Sequence, residues 1–136
     1  MALAAEILGD RWTLLILREA FYGVQRYDDM LADLGAPRSM LTDRLGNLIA
    51  RGLMTRRPYQ EPGARTRHAY VLTAAGKSLA LTLLALTQWG EEHILNAPAP
   101  VEIIDKTSGH PLRVALVNQN GDIADLKTAT LSLRTN

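Results

Sequence analysis

The fold is decided by residues 35–52, GAPRSMLTDRLGNLIARG. The leucines of this stretch recur at the spacing of one helical face, which predicts an amphipathic helix over residues 38–51. A Gly-Ala-Pro break precedes this helix, and Gly52 ends it. Before the break, residues 26–34 show the same apolar spacing and form a shorter helix. Two helices joined by a short turn that contains glycine are typical of a helix-turn-helix.

A β-hairpin is predicted directly after the second helix. Residues 53–59 and 66–72 have the composition of strands, and a Pro-Gly loop joins them. Tyr70 and Leu72 share one face of the returning strand, because side chains alternate between the two faces. A helix-turn-helix that is followed at once by a hairpin has the element order of a winged helix.

Two longer helices are predicted to flank the winged helix. The first spans residues 3–21, and the second begins after Thr73, whose side chain caps it, and runs to about residue 95. Both are apolar on more than one face, so each needs a second packing partner, and for the second helix a subunit interface is the economical choice. The predicted interface consists of Leu3, Ile7, Trp12, Leu79, Leu83, Leu86 and Trp89.

The remaining chain changes to a β pattern. Short β runs separated by turn sequences are predicted at residues 101–105, 112–117 and 128–133. The fold class is therefore α+β and mostly helical: a winged helix-turn-helix with long N- and C-terminal dimerisation helices and a small C-terminal β appendage. The predicted domains are residues 1–96, the winged helix with its dimerisation helices, and residues 97–136, a β-rich extension too short to be independent.

Positive charge is concentrated in the middle of the chain. Residues 38–78 carry eight Lys and Arg side chains against two acidic ones, whereas the whole chain has a net charge of only +1. This basic block coincides with the second helix of the helix-turn-helix and with the hairpin. Such a block inside an otherwise acidic chain indicates a surface that binds a polyanion. A solvated Arg-rich surface is the alternative that charge alone leaves open.

The composition argues against several classes of protein. The absence of cysteine excludes disulfides, thiolate metal sites and cysteine nucleophiles, and a reducing cytoplasm is the expected location. No apolar run is long enough to cross a bilayer, and the first residues lack the basic segment of a signal peptide. The widely spaced His68, His93 and His110 do not predict a metal site, and no catalytic triad or nucleotide loop is recognisable. We expect neither enzyme activity nor a cofactor, a metal or a membrane partner.

With its predicted elements in this order, the sequence resembles the HxlR family of bacterial winged-helix regulators, within the MarR-like superfamily. The motifs that carry the resemblance are LGDRWTLLILRE at residues 8–19, MLTDRL at 40–45, GLM at 52–54, YVLT at 70–73, GKSL at 76–79 and WGE at 89–91. The resemblance implies a homodimer that represses or activates transcription at a promoter. The β tail looks like an extension found in some members. Many members carry a cysteine before the first helix that is used in some for redox or electrophile sensing, and this chain has none.

The resemblance and the charge together predict how the second helix contacts double-stranded DNA. In this architecture the N-terminal residues of the recognition helix enter the major groove. Arg38 is predicted to contact guanine, whereas Ser39 and Thr42 contact a base edge or a phosphate. Asp43 either contacts cytosine or forms an ion pair that orients an Arg. Arg44 reaches a phosphate or stays solvated.

The hairpin is predicted to act as the wing. Arg65 or Arg67 lies near the minor groove, where narrow A/T-rich tracts attract arginine. Arg56 and Arg57 contact phosphates or form a solvated strand edge. A dimer presents two such units to a pseudo-palindromic operator with half-sites about one helical turn apart, or a multiple of that.

The sequence leaves three alternatives to sequence-specific DNA binding. The first is a winged helix that serves protein–protein interaction and has no DNA affinity. The second is an enzyme, for which no nucleophile, metal or cofactor site is recognisable. The third is RNA binding, which is disfavoured because no exposed series of aromatic side chains for base stacking is recognisable. A small-molecule effector held between the long helices and the β tail is a further hypothesis, which heat stabilisation by a bound effector would support.

Overall fold

A computed structural model of the chain describes residues 1–133. The chain divides into two compact units, Met1–Leu83 and Leu84 onward. Its helices are α1 (Ala2–Leu8), α2 (Arg11–Phe21), α3 (Tyr27–Leu34), α4 (Arg38–Ala50), α5 (Ala74–Lys77) and α6 (Ala80–Gly90). Its strands are β1 (Met54–Tyr59), β2 (Arg67–Leu72), β3 (Leu116–Val117) and β4 (Ile123–Ala124). The α+β fold class is confirmed, and the described chain contains more helix than strand.

The core of the first unit joins α2 to the helix-turn-helix. Its fully buried apolar side chains are Ile16, Leu17, Met30, Leu41, Leu45, Leu48 and Met54. Three of these are the predicted leucines of α4, so the amphipathic pattern of that helix is confirmed. Gly35 ends α3 in the left-handed conformation, with φ 59°, which glycine adopts without steric cost.

The predicted hairpin is also confirmed. β1 and β2 pair antiparallel, with Met54 opposite Leu72. The backbone N–H of Tyr70 donates a hydrogen bond of 2.8 Å to the carbonyl oxygen of Gln25, just before α3. The hairpin is thus attached through β2 to the start of the helix-turn-helix, as in a winged helix.

Gly76 lets α5, which follows β2, pack closely against the backbone at Leu53. The side chain of Thr73 accepts a hydrogen bond of 3.1 Å from the N–H of Gly76, which confirms the predicted cap. Gly76 is buried, and a Cβ at this position would lie 2.0 Å from the carbonyl oxygen of Leu53. The backbones approach each other so closely that a side chain has no room.

The prediction of one continuous helix over residues 3–21 is wrong. The chain leaves the helical conformation at Asp10, where φ is −115° and ψ is 131°. The carboxylate of Asp10 accepts a hydrogen bond of 2.9 Å from the N–H of Thr13. This cap satisfies a free N–H group of a new helix, so α2 begins where the apolar spacing predicted continuation.

The predicted helix from Thr73 to about residue 95 is divided as well. It consists of α5, α6 and a π-helical turn over Glu91–Leu95. Neither flanking helix is therefore long in the way the sequence predicted. None of the described helices is long and apolar enough to cross a bilayer.

The second unit contains less strand than predicted. β3 and β4 pair antiparallel on either side of residues 118–122, and one further bridge joins Ile104 to Pro111. The predicted strand at residues 128–133 is wrong, and Leu126–Thr128 forms a 3-10 helix instead. The side chains of both two-residue strands are exposed. The β-rich pattern of this segment therefore predicted longer strands than the chain forms. The domain boundary between residues 96 and 97 stays a prediction.

Candidate nucleic-acid interface

The first turns of α4 expose the predicted recognition residues. Arg38, Ser39, Thr42 and Asp43 are all exposed, on the side of the helix away from the buried leucines. No side chain caps this end of α4, so its first N–H groups can donate to an anion, which the helix dipole also favours at this end. This end of the helix is therefore suited to approach DNA.

A tyrosine from α3 holds the first turn of α4. The hydroxyl of Tyr27 donates a hydrogen bond of 2.9 Å to the carbonyl oxygen of Arg38, and its oxygen lies 3.0 Å from Oγ1 of Thr42. The ring also lies below the Arg38 guanidinium, 5.9 Å away, and beside the ring of Tyr70. Sequence reasoning treated Tyr27 only as an apolar position. The one available signal was a hydroxyl on the apolar face of the predicted helix.

Asp28 lies between the recognition helix and the hairpin. One carboxylate oxygen is 3.9 Å from Nη1 of Arg38, and the other is 3.5 Å from Nη1 of Arg67. All three side chains are exposed. A cleft of about 390 Å³ surrounds them, and its lining includes Tyr27, Asp28, Arg38, Tyr59, Arg65 and Arg67. The cleft brings together the tip of α4 and two of the predicted wing residues.

The other two wing arginines do not share one surface. Arg56 and Arg57 are both exposed on β1. Adjacent residues of a strand point to opposite faces, so the two side chains cannot approach the same phosphate in the same way. Their roles in DNA binding stay predictions.

The hairpin loop is held against the start of α3. The guanidinium of Arg26 forms an ion pair of 2.6 Å with Glu61 and lies 5.0 Å from the centre of the Tyr59 ring. Sequence reasoning did not single out these residues. The contact joins the hairpin loop to the residue that precedes α3.

Arg44 has a different environment from its neighbours. Its Nε donates a hydrogen bond of 2.7 Å to Oδ2 of Asp10, and it also pairs with Asp43. Partial burial raises the pKa of Asp10, but hydrogen bonds from Arg44 and Thr13 outweigh it and lower the pKa to about 2. Asp10 is therefore ionised at neutral pH. Asp43 forms an ion pair with Arg44, which was one of its two predicted alternatives. Contact of Asp43 or Arg44 with DNA stays a prediction.

The predicted interface residues divide into two groups. Leu3 is 77% exposed, Leu86 is 49% exposed and Trp89 is 57% exposed. Ile7 and Trp12 are partly exposed, and α1 and α6 contain no fully buried side chain. By contrast, Leu79 and Leu83 pack against the core of their own chain.

The described part of the chain does not have the geometry of a metal site. Within residues 1–133, no group of three or more acidic or histidine side chains is placed to hold a metal ion. Charged groups do converge in the cleft around Asp28 and in the Asp10–Arg44 pair.

Residues 7–97 match the profile of the HxlR-like helix-turn-helix family. Among curated relatives, the uncharacterized HTH-type transcriptional regulator Rv3095 of Mycobacterium tuberculosis (strain ATCC 25618 / H37Rv) is 45% identical over 97 residues, which is 71% of this chain and 60% of that protein. The uncharacterized HTH-type transcriptional regulator YvaP of Bacillus subtilis (strain 168) is 34% identical over 92 residues, covering 67% and 83%. The chain thus matches about three fifths of the length of the mycobacterial relative.

Solved structures with the same fold include two candidate transcription factors. PA1607 superimposes with a TM-score of 0.77 at 30% identity, covering 94% of this chain and 89% of that one. PA1374 from Pseudomonas aeruginosa has a TM-score of 0.67 at 32% identity, with coverages of 96% and 89%. These coverages extend beyond residue 97, so the similarity includes most of the C-terminal extension. The redox regulator HypR, at 22% identity and a TM-score of 0.61, shares the fold.

Proposed function

This chain belongs to the HxlR-like helix-turn-helix family, and we propose on that premise that it is a sequence-specific DNA-binding transcriptional regulator rather than an enzyme. The observation that carries the proposal is the cleft in which Arg38 of α4 and Arg67 of the hairpin flank Asp28. The curated relatives are named HTH-type transcriptional regulators, which supports the same conclusion. Because the DNA of a bacterial cell is in the cytoplasm, we also propose a cytoplasmic location.

The proposed docking places the start of α4 in the major groove. Arg38 is free to extend toward guanine, because its side chain is 72% exposed and its ion pair with Asp28 is long. Arg65 and Arg67 then lie beside the backbone or the minor groove, on the other side of the cleft. Exposure of both groups supports simultaneous contact by the helix and the wing.

We further propose that the regulator acts as a homodimer on a pseudo-palindromic operator. Leu3 on α1 and Leu81, Leu86 and Trp89 on α6 are large exposed apolar side chains, which supports this because a partner subunit would remove them from water. Two-fold symmetry of the protein then matches two-fold symmetry of the operator.

The direct test is a titration of duplex DNA by fluorescence anisotropy. The protein is titrated into DNA from its own upstream region and into a scrambled duplex, at several salt concentrations. We expect preferential binding whose logarithm falls linearly with the logarithm of salt, with a slope that indicates several phosphate contacts. An absence of binding even at low salt would contradict the proposal and favour a winged helix that binds another protein.

Three variants separate base reading from backbone contact. Arg38→Ala is expected to weaken binding to the preferred duplex by about five- to 150-fold and to reduce the preference over the scrambled duplex. Arg65→Ala is expected to weaken both duplexes alike and to reduce the salt slope by about one. Lys127→Ala removes one positive charge outside the basic block and serves as the matched control.

A further inference from the structure

We propose that Thr42 reads thymine through its methyl group, and that Tyr27 is the positioning residue that orients it. The inference rests on the proposed function, since it names the chemistry of one contact in the DNA interface. It concerns the two hydrogen bonds that the Tyr27 hydroxyl makes with the first turn of α4.

The direction of these two hydrogen bonds follows from proton count. A tyrosine hydroxyl has one proton, and that of Tyr27 is donated to the carbonyl oxygen of Arg38 at 2.9 Å. The carbonyl cannot donate in return. The contact of 3.0 Å between the Tyr27 and Thr42 hydroxyls therefore uses the proton of Thr42. Thr42 has no hydroxyl proton left to donate to DNA.

This restricts what Thr42 can recognise. Phosphate oxygens and the major-groove atoms N7 and O6 of guanine are all acceptors, so each needs a donor from the protein. A hydroxyl whose proton is held by Tyr27 does not supply one. Its oxygen faces Tyr27 and α3, whereas an amino group of adenine or cytosine would approach from the groove.

The methyl group is the remaining part of the side chain. Thr42 is exposed and lies one helical turn after Arg38, on the same face of α4. Thymine is the base that presents a methyl group in the major groove, and a threonine methyl makes an apolar contact with it. Tyr27 thus favours thymine next to the base pair that Arg38 contacts.

The test replaces thymine by uracil, which lacks only this methyl group. A preferred duplex is obtained by selection with the wild-type protein, and each thymine is replaced in turn. We expect one position in each half-site where uracil weakens binding about fourfold, the factor predicted for burial of one methyl-sized group. Thr42→Val keeps the methyl group and replaces the hydroxyl by a second methyl, so it should still distinguish thymine from uracil. Thr42→Ser keeps the hydroxyl without the methyl, so it should bind the two duplexes equally.

Tyr27→Phe tests the positioning role. It removes both hydrogen bonds and keeps the ring, so the side chain of Thr42 can rotate. The discrimination between thymine and uracil should therefore fall, while the salt dependence of binding stays unchanged. A loss of stability alone would not change the ratio of the two affinities. Thermal unfolding of each variant checks that it is folded.

The inference is overturned if no uracil substitution affects the wild type, or if Thr42→Ser discriminates and Thr42→Val does not. A Tyr27→Phe protein that discriminates like the wild type overturns the role of Tyr27. Failure of the wild type to bind any duplex overturns the proposed function itself, and this inference with it.

Discussion

The Nε atom of Arg44 lies 2.7 Å from Oδ2 of Asp10 and connects the recognition helix to the start of α2. The same carboxylate accepts hydrogen bonds from the backbone N–H and the hydroxyl of Thr13. One half-buried group therefore caps a core helix and also restrains the middle of α4. This polar contact joins α4 to the start of α2 in addition to the packing of its buried leucines.

The Asp10–Arg44 pair makes stability depend on pH in acid. The pKa of Asp10 falls from 3.8 to about 2 on folding, so the pair stabilises the native state fully above about pH 4. The contribution is lost as the pH falls through 2. Asp10→Asn keeps an N-cap residue but removes the charge, and we expect a Tm lower by a few degrees at neutral pH.

The measurement is thermal unfolding of both proteins between pH 2 and pH 7. The difference in Tm should be constant near neutrality and shrink toward pH 2, where Asp10 of the wild type becomes protonated. Equal Tm values at neutral pH would show that the ion pair adds nothing. Asp33→Asn, which removes an exposed acid on α3, is the control for the change in net charge.

Gly76→Ala should be strongly destabilising. The added Cβ would lie 2.0 Å from the carbonyl oxygen of Leu53, so the backbone around α5 must move. We expect a loss of about 1–3 kcal/mol in the free energy of unfolding, measured by urea denaturation. An alanine that leaves stability unchanged would contradict the close backbone approach.

Gly46→Ala provides the matched glycine substitution. Gly46 lies inside α4, is exposed, and has no atom within 4 Å of an added Cβ. Alanine should therefore increase stability by about 0.5–1 kcal/mol through helix propensity. A simultaneous loss of DNA affinity would indicate that the glycine permits close approach of DNA, whereas unchanged affinity would leave only the propensity effect.

Asp28→Asn should strengthen DNA binding. The carboxylate holds Arg38 and Arg67 at 3.9 and 3.5 Å and repels the phosphates that approach the cleft. Removal of its charge should increase affinity on the order of fivefold at low salt, and less at high salt because of screening. Anisotropy titrations at two salt concentrations measure the effect.

The control for Asp28 is again Asp33→Asn, which changes the net charge equally on the same helix. If both variants bind DNA more tightly by the same factor, the effect of Asp28 is one of overall charge. Weaker binding by Asp28→Asn would show that the carboxylate orients the two arginines productively.

Leu86→Glu should disrupt the proposed homodimer. Leu86 is about half exposed on α6, and a charge buried at a subunit interface without a partner is strongly unfavourable. Light scattering after size-exclusion chromatography should show the mass of a monomer, and DNA affinity should fall because the two recognition helices are no longer linked. Ala32→Glu adds the same charge at an exposed position of α3 and should remain dimeric.

Some features of the site were visible in the sequence and others were not. The exposed positions Arg38, Ser39 and Thr42 follow from the leucine spacing of α4, because a buried stripe specifies the opposite, solvent-facing side. The roles of Tyr27 and Asp28 could not be read in the same way, since both were ordinary positions of a short amphipathic helix. Leu79 and Leu83 were assigned to a subunit interface, yet they pack on their own core, because an apolar stripe does not identify its partner.

The sequence by itself determined the helix-turn-helix, the hairpin and the basic surface that they carry. These features depend on signals within a few residues: the spacing of leucines, the glycine turns and the cap at Thr73. Only the tertiary structure decided that Asp10 pairs with Arg44, Tyr27 with Thr42 and Asp28 with Arg67. These partners are 34, 15 and 39 residues apart. Several polar side chains compete for each partner, and only the packing of α2, α3, α4 and the hairpin brings one within hydrogen-bonding distance.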